Sequence, residues 1–337
     1  MNDIDLLFEH YQRVVDERDE LLLKLSTVLI DFNYFKDNDK RTLFFTGFPN
    51  WKLLSKFWEL VKDFFPTHFN CKLSQFQMLV LTLMKLRLNP TFTDLGYRFQ
   101  IDGTTAARMF HRCIFVLFKK FKDTKIVHWP EKRNTLIFST PNYFRSLLKE
   151  KVTIIVDCFE IFCERSTNLR AAAQLYSVYK SHTTLKYLIG ISMSGVIIFI
   201  SKAFGGRTSD KAATLKSGIL NYLQEGDLML ADKGFLIRHE VNAKNAHLEL
   251  PCFVNRGNQL HPTELESSRK LSSLRIHVER VINILRQKFN ICSDIAKMSA
   301  ISKEDNLFDG DLYDMIVFTC SCIVNICPSV VPSDFEI

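Results

Sequence analysis

The sequence predicts an α/β fold, a mixed-sheet domain preceded by an all-helical region, and three observations carry that prediction. Up to about residue 122 apolar residues recur at the spacing of one helix face, with Ser, Thr or Asp where helices begin. Past Pro141 the pattern switches to β-branched and aromatic runs at 152–162, 185–192 and 196–201. Those runs then alternate with helical stretches and close on a long amphipathic segment, 267–289.

Taken in order, residues 4–30 show helical periodicity through Leu6, Leu7, Tyr11, Val14, Val15, Leu21, Leu22 and Leu25, with charged residues on the other faces. A short coiled coil and a helix docked on the body are both open readings. Residues 31–50 are polar, and 51–65 read as a helix halted by Pro66. Three helices follow over 73–122. The first begins near Ser74 and ends at Asn89-Pro90; the second is short, with Thr93 as its expected cap. A turn at Ile101-Asp102-Gly103 leads into the third, from Thr104 or Thr105. Helix, short helix, glycine turn, helix is the outline of a helix-turn-helix. In the second half, Ser194-Gly195 joins two of the early strands as a hairpin. A helix over 209–223, a short strand at 227–231, a helix near 236–245, a strand near 248–254 and a polar loop over 255–268 precede the long helix. That order matches an RNase H-like core. The expected divisions are 1–50 for the N-terminal helix and linker, 51–140 for the helix-turn-helix region and 141–337 for the catalytic domain.

At 47% hydrophobic and 24% charged, the chain of 337 residues buries a core and does not read as disordered. The net charge of +7 permits a polyanionic partner without requiring one. Nine scattered cysteines with no CxxC pair exclude a zinc-knuckle framework and read as reduced thiols of the cytosol or nucleus. The acidic start is neither a signal nor a transit peptide. The apolar stretch 315–331 holds Asn325 and Pro328 and is shorter than a membrane span, so it reads as a core helix and no membrane partner is expected.

Chemistry is signalled where carboxylates interrupt apolar structure. Asp157 ends Thr153-Ile-Ile-Val, and Asp232 ends Leu228-Met-Leu-Ala before Lys233-Gly234. A lone charge in such a place is costly. Glu279 stands on the long helix among Ile276, Ile282 and Leu285. Two strand-end aspartates at one sheet edge, overhung by a helix glutamate, repel one another and call for cations. Mg²⁺ (or Mn²⁺) suits oxygen ligands, and two ions about 4 Å apart support phosphoryl transfer. Each residue taken singly also reads as a turn, a cap or half an ion pair. Asp210 competes for the second position, but it precedes a helix and reads as a first-turn acid or substrate-positioning residue. Glu160 falls on the opposite strand face from Asp157 and could support the site only if the strand bends.

These residues lie in blocks that resemble a known family. Asp157-Cys-Phe-Glu-Ile-Phe-Cys-Glu-Arg-Ser, Tyr179-Lys-Ser-His-Thr-Thr-Leu-Lys-Tyr-Leu-Ile-Gly-Ile-Ser, Gly205-Gly-Arg-Thr-Ser-Asp-Lys, Leu230-Ala-Asp-Lys-Gly-Phe and Arg275-Ile-His-Val-Glu-Arg-Val-Ile occur in order. They are similar to the catalytic blocks of DDE superfamily transposases of the PIF/Harbinger-related, IS5-like group, over roughly 150–295. The region from Cys71 to about Phe121 resembles the helix-turn-helix that precedes that domain. The resemblance implies an RNase H-like fold, DNA strand cleavage and joining, two divalent ions and action in the nucleus, and it assigns the triad to Asp157, Asp232 and Glu279. Relatives often carry a zinc-binding THAP-type domain; here only His10 and His68 precede residue 71 as zinc-ligand types. A separate DNA-recognition protein is then an expected partner, beside DNA and a homo-oligomer on DNA.

Candidate DNA contacts are Thr104, Thr105, Arg108 and Arg112 on the third helix, and Lys180, His182 and Arg280 near the acidic set. Lys180 and His182 follow an expected loop and helix start and Lys186 opens the next strand; near a metal cleft all three could bind phosphate, and as isolated residues they read as surface charges. Arg269, Lys270, Arg275, Arg286 and Lys288 add basic character to the long helix, while His277 reads as structural. The alternative function is a domesticated, catalytically silent DNA-binding descendant.

Overall fold

A computed structural model describes residues 3–65, 72–142, 144–145, 153–250, 262–301, 311–329 and 331. Its contacts divide the chain into two compact units, Met1–Val116 and Leu117–Ile337.

The first unit is helical, with polar caps marking most helix starts. Helix α1 spans Asp3–Val28. Asp31, Asn38 and Asn50 accept the free amides that open α2 (Phe32–Phe35), α3 (Asp39–Thr46) and α4 (Trp51–Val61). Ser74 and Gln77 form a reciprocal capping box on α5, Gln75–Leu88, and Asn89 closes it in the left-handed conformation before Pro90. The core is aromatic: the Phe76 ring packs edge-on against Phe32 and Trp58. The expected halt at Pro66 and the expected start of the helix-turn-helix at Cys71 lie outside the described residues.

Helix α6 runs Phe92–Phe99, and its cap is Thr91, whose hydroxyl accepts the Asp94 amide at 3.1 Å, rather than the expected Thr93. Helix α7 runs Gly103–Asp123, one residue earlier than expected. Asp102 caps it by accepting the Thr104 amide at 2.8 Å. The turn is tight because Gly96 lies against it: a Cβ there would sit 2.7 Å from the Ile101 carbonyl oxygen.

The second unit is built on a seven-stranded mixed sheet. Its strands are β1 (Thr153–Phe162), β2 (Tyr176–Ser177), β3 (His182–Ser192), β4 (Ile197–Ile200), β5 (Phe204–Gly205), β6 (Leu228–Leu230) and β7 (His247–Glu249). β3 runs antiparallel to β1, while β6 and then β7 add to the other side of β1 in parallel. Along its second edge β3 pairs with β2, β5 and β4 in turn. The order β4-β3-β1-β6-β7 is the RNase H-like arrangement. One face is closed by Ile154, Val156, Leu188, Met229, Phe235 and Leu248, buried in a single apolar cluster.

Four expectations about this unit shift. The helix over 209–223 is α-helical only over Asp210–Ser217 and continues as a 3₁₀ turn at Ile219–Tyr222, because Gly218 turns left-handed between them. The helix near 236–245 shortens to Arg238–Asn242. The strand near 248–254 is seen at His247–Glu249, and 251–261 lie outside the described residues. The long helix begins at Pro262, inside the expected loop: proline has no amide to leave unbonded in a first turn and already holds a helical φ. In chain order the helices after α7 are α8 (Arg133–Ser139), α9 (Leu169–Leu175), α10 (Asp210–Ser217), α11 (Arg238–Asn242), α12 (Pro262–Lys288) and α13 (Leu312–Ile326).

α12 packs on β1 and α13 on β4. Asn325, near the end of the largely apolar α13, has its partners there. Its amide accepts from the Ile197 N–H at 2.9 Å and donates to the Ile197 carbonyl at 2.8 Å, sealing an edge strand as another strand would. No helix among the described residues is long and apolar enough to cross a membrane.

A candidate carboxylate site

Strand register places the two aspartates. Ile155 pairs with Leu230 in the parallel β1/β6 ladder. Asp157 and Asp232 each stand two residues beyond that pair, and the Asp232 charge is felt at Asp157. Asp157 is still inside β1, and Asp232 is in the turn beyond β6.

Asp157 is largely withdrawn from water and accepts its neighbour's amide, Cys158 N–H, at 2.8 Å. Burial pushes its pKa up to about 6; that amide and the Arg275 guanidinium pull the other way, and the charges of Asp232 and Asp210 push it further up. Asp232 is about half exposed and lies 3.2 Å from Arg275 Nη1. Arg275 is itself buried, and its Nε has no hydrogen-bond partner among the described residues.

Arg275 sits one helical turn before Glu279 on α12, so the two share a face. Arg286, on the same stripe two turns further on, donates to the Glu160 carbonyl at 2.8 Å. Glu279 is therefore bracketed by two arginines that bind at Asp232 and at β1, and its own side chain is exposed. Among the described residues no three His, Cys, Asp or Glu side chains converge to metal-ligand distance.

A second polar group adjoins the first. Lys186 stands directly across from Glu160 in the β1/β3 ladder. Its ammonium lies 3.5 Å from Glu160 Oε1 and 3.1 Å from Asp210 Oδ1. Burial lowers its pKa, but the Asp210 charge and hydrogen bond and the Glu160 charge outweigh burial and raise it. Thr184 Oγ1 donates to Glu160 Oε2 at 2.7 Å. Glu160 stays on its own strand face, where Lys186 links it to Asp210. Lys186 is mid-strand and buried, not a surface charge at a strand opening. Asp210 is the first residue of α10 behind its cap Ser209, as expected of a first-turn acid. Gly234 lets Asp210 approach the turn after β6, because a Cβ there would meet Asp210 Oδ2 at 2.8 Å. Burial raises the Cys158 thiol's pKa, and the Asp210 and Asp157 charges add to it, so this thiol stays protonated.

Asp157, Asp232 and Asp210 offer carboxylate oxygens, the donor type a hard divalent cation takes, and the charges of Asp232 and Asp210 act against ionisation of Asp157.

The remaining candidates lie elsewhere. Thr104, Arg108 and Arg112 are exposed on α7, while the Thr104 hydroxyl is bonded to Asp102 and Thr105 accepts from Arg108 at 3.1 Å. Lys180 is in the β2–β3 hairpin turn and His182 opens β3, and the ring of His182 packs against Phe162. Arg280 is exposed on α12. His277 is buried against the Phe144 ring, and burial together with the Arg280 charge lowers its pKa, in keeping with a structural role. The side chains of Arg269 and Lys270 lie outside the described residues.

Arg275, Lys186 and Arg286 carry more of this site than their sequence context signals. The available signals were the four-residue step from Arg275 to Glu279 and a lysine within an otherwise apolar strand.

No curated protein matches the chain. Two solved structures align with it: a pre-cleavage Mos1 transpososome, at 10% identity and a TM-score of 0.22 over 70% of this chain and 87% of that one, and a Mos1 transposase paired-end complex with left transposon end, at 12% identity and 0.21 over 89% and 95%. Residues 71–123 match the helix-turn-helix of DDE superfamily endonuclease. Residues 156–325, half of the chain, match the DDE superfamily endonuclease domain itself, and the chain belongs to that family.

Proposed function

We propose that the chain is a metal-dependent DNA endonuclease of the transposase kind, cleaving and joining strands by two-metal phosphoryl transfer. Asp157, Asp232 and Glu279 are its ligands. The observation that carries this reading is that Asp157 and Asp232 each follow the paired Ile155 and Leu230 by two residues and feel each other's charge, with Asp157 buried and its pKa pushed up to about 6. Mg²⁺ or Mn²⁺, when bound, polarises the phosphate and activates the attacking oxygen.

The chain's own residues prepare that chemistry. Asp157 presents a carboxylate whose charge is opposed by burial, so cation binding relieves it. Arg275 draws Asp232 toward α12 and offers a positive charge to a phosphate. Lys186 fixes Asp210 and Glu160 beside the reacting carboxylates. The exposed face of α7 with Thr104, Thr105, Arg108 and Arg112 holds duplex DNA, and Lys180, His182 and Arg280 contact its backbone away from the carboxylates. The working division is 1–50, 51–140 and 141–337, with action in the nucleus.

The test is purified chain with DNA and Mg²⁺ or Mn²⁺, assayed for nicking, alongside calorimetric titration of Mn²⁺. Wild type is expected to bind the metal and nick, and Asp157→Ala to fold and do neither. A folded Asp157→Ala protein with full nicking activity sinks the assignment. DNA binding by the wild type with neither metal binding nor nicking identifies a silent, DNA-binding descendant instead.

A further inference from the structure

The tip of the β2–β3 hairpin presents an aromatic ring to water. Tyr179 is 86% exposed and Val178 79%. Both stand in the turn between β2 and β3, where Gly, Asn, Asp or Pro is the usual choice. The turn is held in one shape all the same. Ser181 takes the left-handed conformation, and the buried Ser177 hydroxyl accepts the Lys180 amide at 3.3 Å. At its return the His182 ring packs edge-on against Phe162. A lone exposed tyrosine is ordinary; here its surroundings select a ligand.

Charge makes the selection. From Arg165 to Leu185 the chain holds no Asp or Glu. Arg165, Arg170, Lys180 and Arg207 are exposed, and none pairs with a carboxylate among the described residues. Backbone contacts gather them at one end of the sheet. The Cys163 amide donates to the Thr183 carbonyl at 3.0 Å, which brings the chain just before Arg165 to the start of β3. Arg170 lies in α9, which leads directly into β2, and the Arg207 amide donates to the Gln174 carbonyl of α9 at 3.1 Å. The nearest acid in sequence, Glu164, is turned to the Met298 amide at 2.9 Å. Lys180 Nζ lies 4.9 Å from the Tyr179 ring centroid, so a cation holds one face of the ring and the other is open.

Unpaired cations around an open aromatic face match a polyanion that also carries flat rings. Phosphates satisfy the cations, and a base stacks on the tyrosine. Within a duplex each base face is already covered by its neighbours, so the ring takes an unpaired base.

We infer that the hairpin tip is a base-stacking site for single-stranded DNA: Tyr179 stacks on an unpaired base, and Arg165, Arg170, Lys180 and Arg207 track the phosphates beside it. The site belongs to the endonuclease reading proposed above and rests on it. It is separate from the carboxylates. Phe162, against which His182 packs, stands five residues beyond Asp157 in β1, roughly 17 Å along the strand. Tyr179 therefore holds DNA and does not touch the reacting atoms.

The experiment is fluorescence anisotropy of the purified full chain, in EDTA, with a short duplex that is either blunt or extended by a single-stranded thymidine tail. Wild type is expected to bind the tailed duplex at least about fivefold more tightly than the blunt one. Tyr179→Ala is expected to lose that preference, while its affinity for the blunt duplex and its melting temperature stay unchanged. Tyr179→Trp is expected to keep it. A fluorescent base analogue in the tail should be quenched on binding by wild type and not by Tyr179→Ala. A wild type with no preference for the tail overturns the proposal, as does a Tyr179→Ala protein that keeps the preference or a Tyr179→Trp protein that loses it. If that happens while DNA binding and Mg²⁺-dependent nicking persist, only the role of the tip falls. A wild type that binds neither duplex takes the endonuclease reading with it. Binding to phosphatidylserine vesicles that Tyr179→Ala abolishes, with tailed DNA still bound as by wild type, assigns the tip to a membrane surface and overturns the proposal.

Discussion

Arg275 Nη1 lies 3.2 Å from Asp232 Oδ1, and the charge of the same guanidinium pulls down the pKa of Asp157. One buried arginine therefore bears on both strand-end aspartates. Arg275→Ala is expected to raise the Asp157 pKa further, since burial and the neighbouring carboxylates are then less opposed. The acidic limb of the nicking-versus-pH profile should move to higher pH, and activity at neutral pH should drop by at least about tenfold, a barrier change of ~1.4 kcal/mol. A limb that does not move would show that Arg275 acts only by packing.

Asp157 couples pH to stability. Its native pKa, pushed up to about 6 by burial, exceeds the unfolded carboxylate value of about 3.9. The native state therefore binds the proton more tightly. Its stabilising contribution is full below the unfolded value and is lost as pH rises through about 6. At neutral pH the ionised group costs about 3 kcal/mol. Asp157→Asn should melt higher than wild type at neutral pH, with the gap closing as pH falls below about 6, while nicking is abolished. A pH-independent gap would remove Asp157 as a titrating group in this window.

Lys186 separates two carboxylates, Glu160 at 3.5 Å and Asp210 at 3.1 Å. Lys186→Met leaves Glu160 and Asp210 without their shared cation and should cost about 3 kcal/mol of stability by denaturant titration. Adding Glu160→Gln and Asp210→Asn should recover most of that loss. Non-recovery would mean that the lysine's aliphatic stem, not its charge, holds β3 to β1.

Gly96 lies against the turn between α6 and α7, where a Cβ would come 2.7 Å from the Ile101 carbonyl oxygen. That neighbour is backbone and cannot rotate away. Gly96→Ala should destabilise the helical unit by about 1–3 kcal/mol, read as a lower melting temperature.

The exposed guanidiniums of Arg108 and Arg112 on α7 give the DNA-contact prediction. Replacing either by Ala should weaken duplex binding by about 1–3 kcal/mol if it reads a base, and should reduce the salt slope by roughly one if it meets a phosphate. Fluorescence anisotropy across a salt series distinguishes the two. No change in either quantity moves the DNA-binding face off α7.

The sequence by itself determined the fold class, the helix-turn-helix outline and the two aspartates. Those features are local: helical and strand periodicities differ, caps and turns are written in single residues, and a carboxylate ending an apolar strand is visible without a partner. Element edges were less legible. Thr91 rather than Thr93 caps α6, and α12 opens at Pro262, because several nearby residues could start each helix and packing chooses among them. Only the tertiary structure decided what surrounds the aspartates. The register of β1 on β6 pairs Ile155 with Leu230, two residues before Asp157 and Asp232, the pairing of β1 with β3 puts Lys186 across from Glu160, and the lie of α12 brings Arg275 to Asp232. Each joins residues far apart in the chain, and the charge that results at Asp157 is a property of burial and neighbours, which no local pattern encodes.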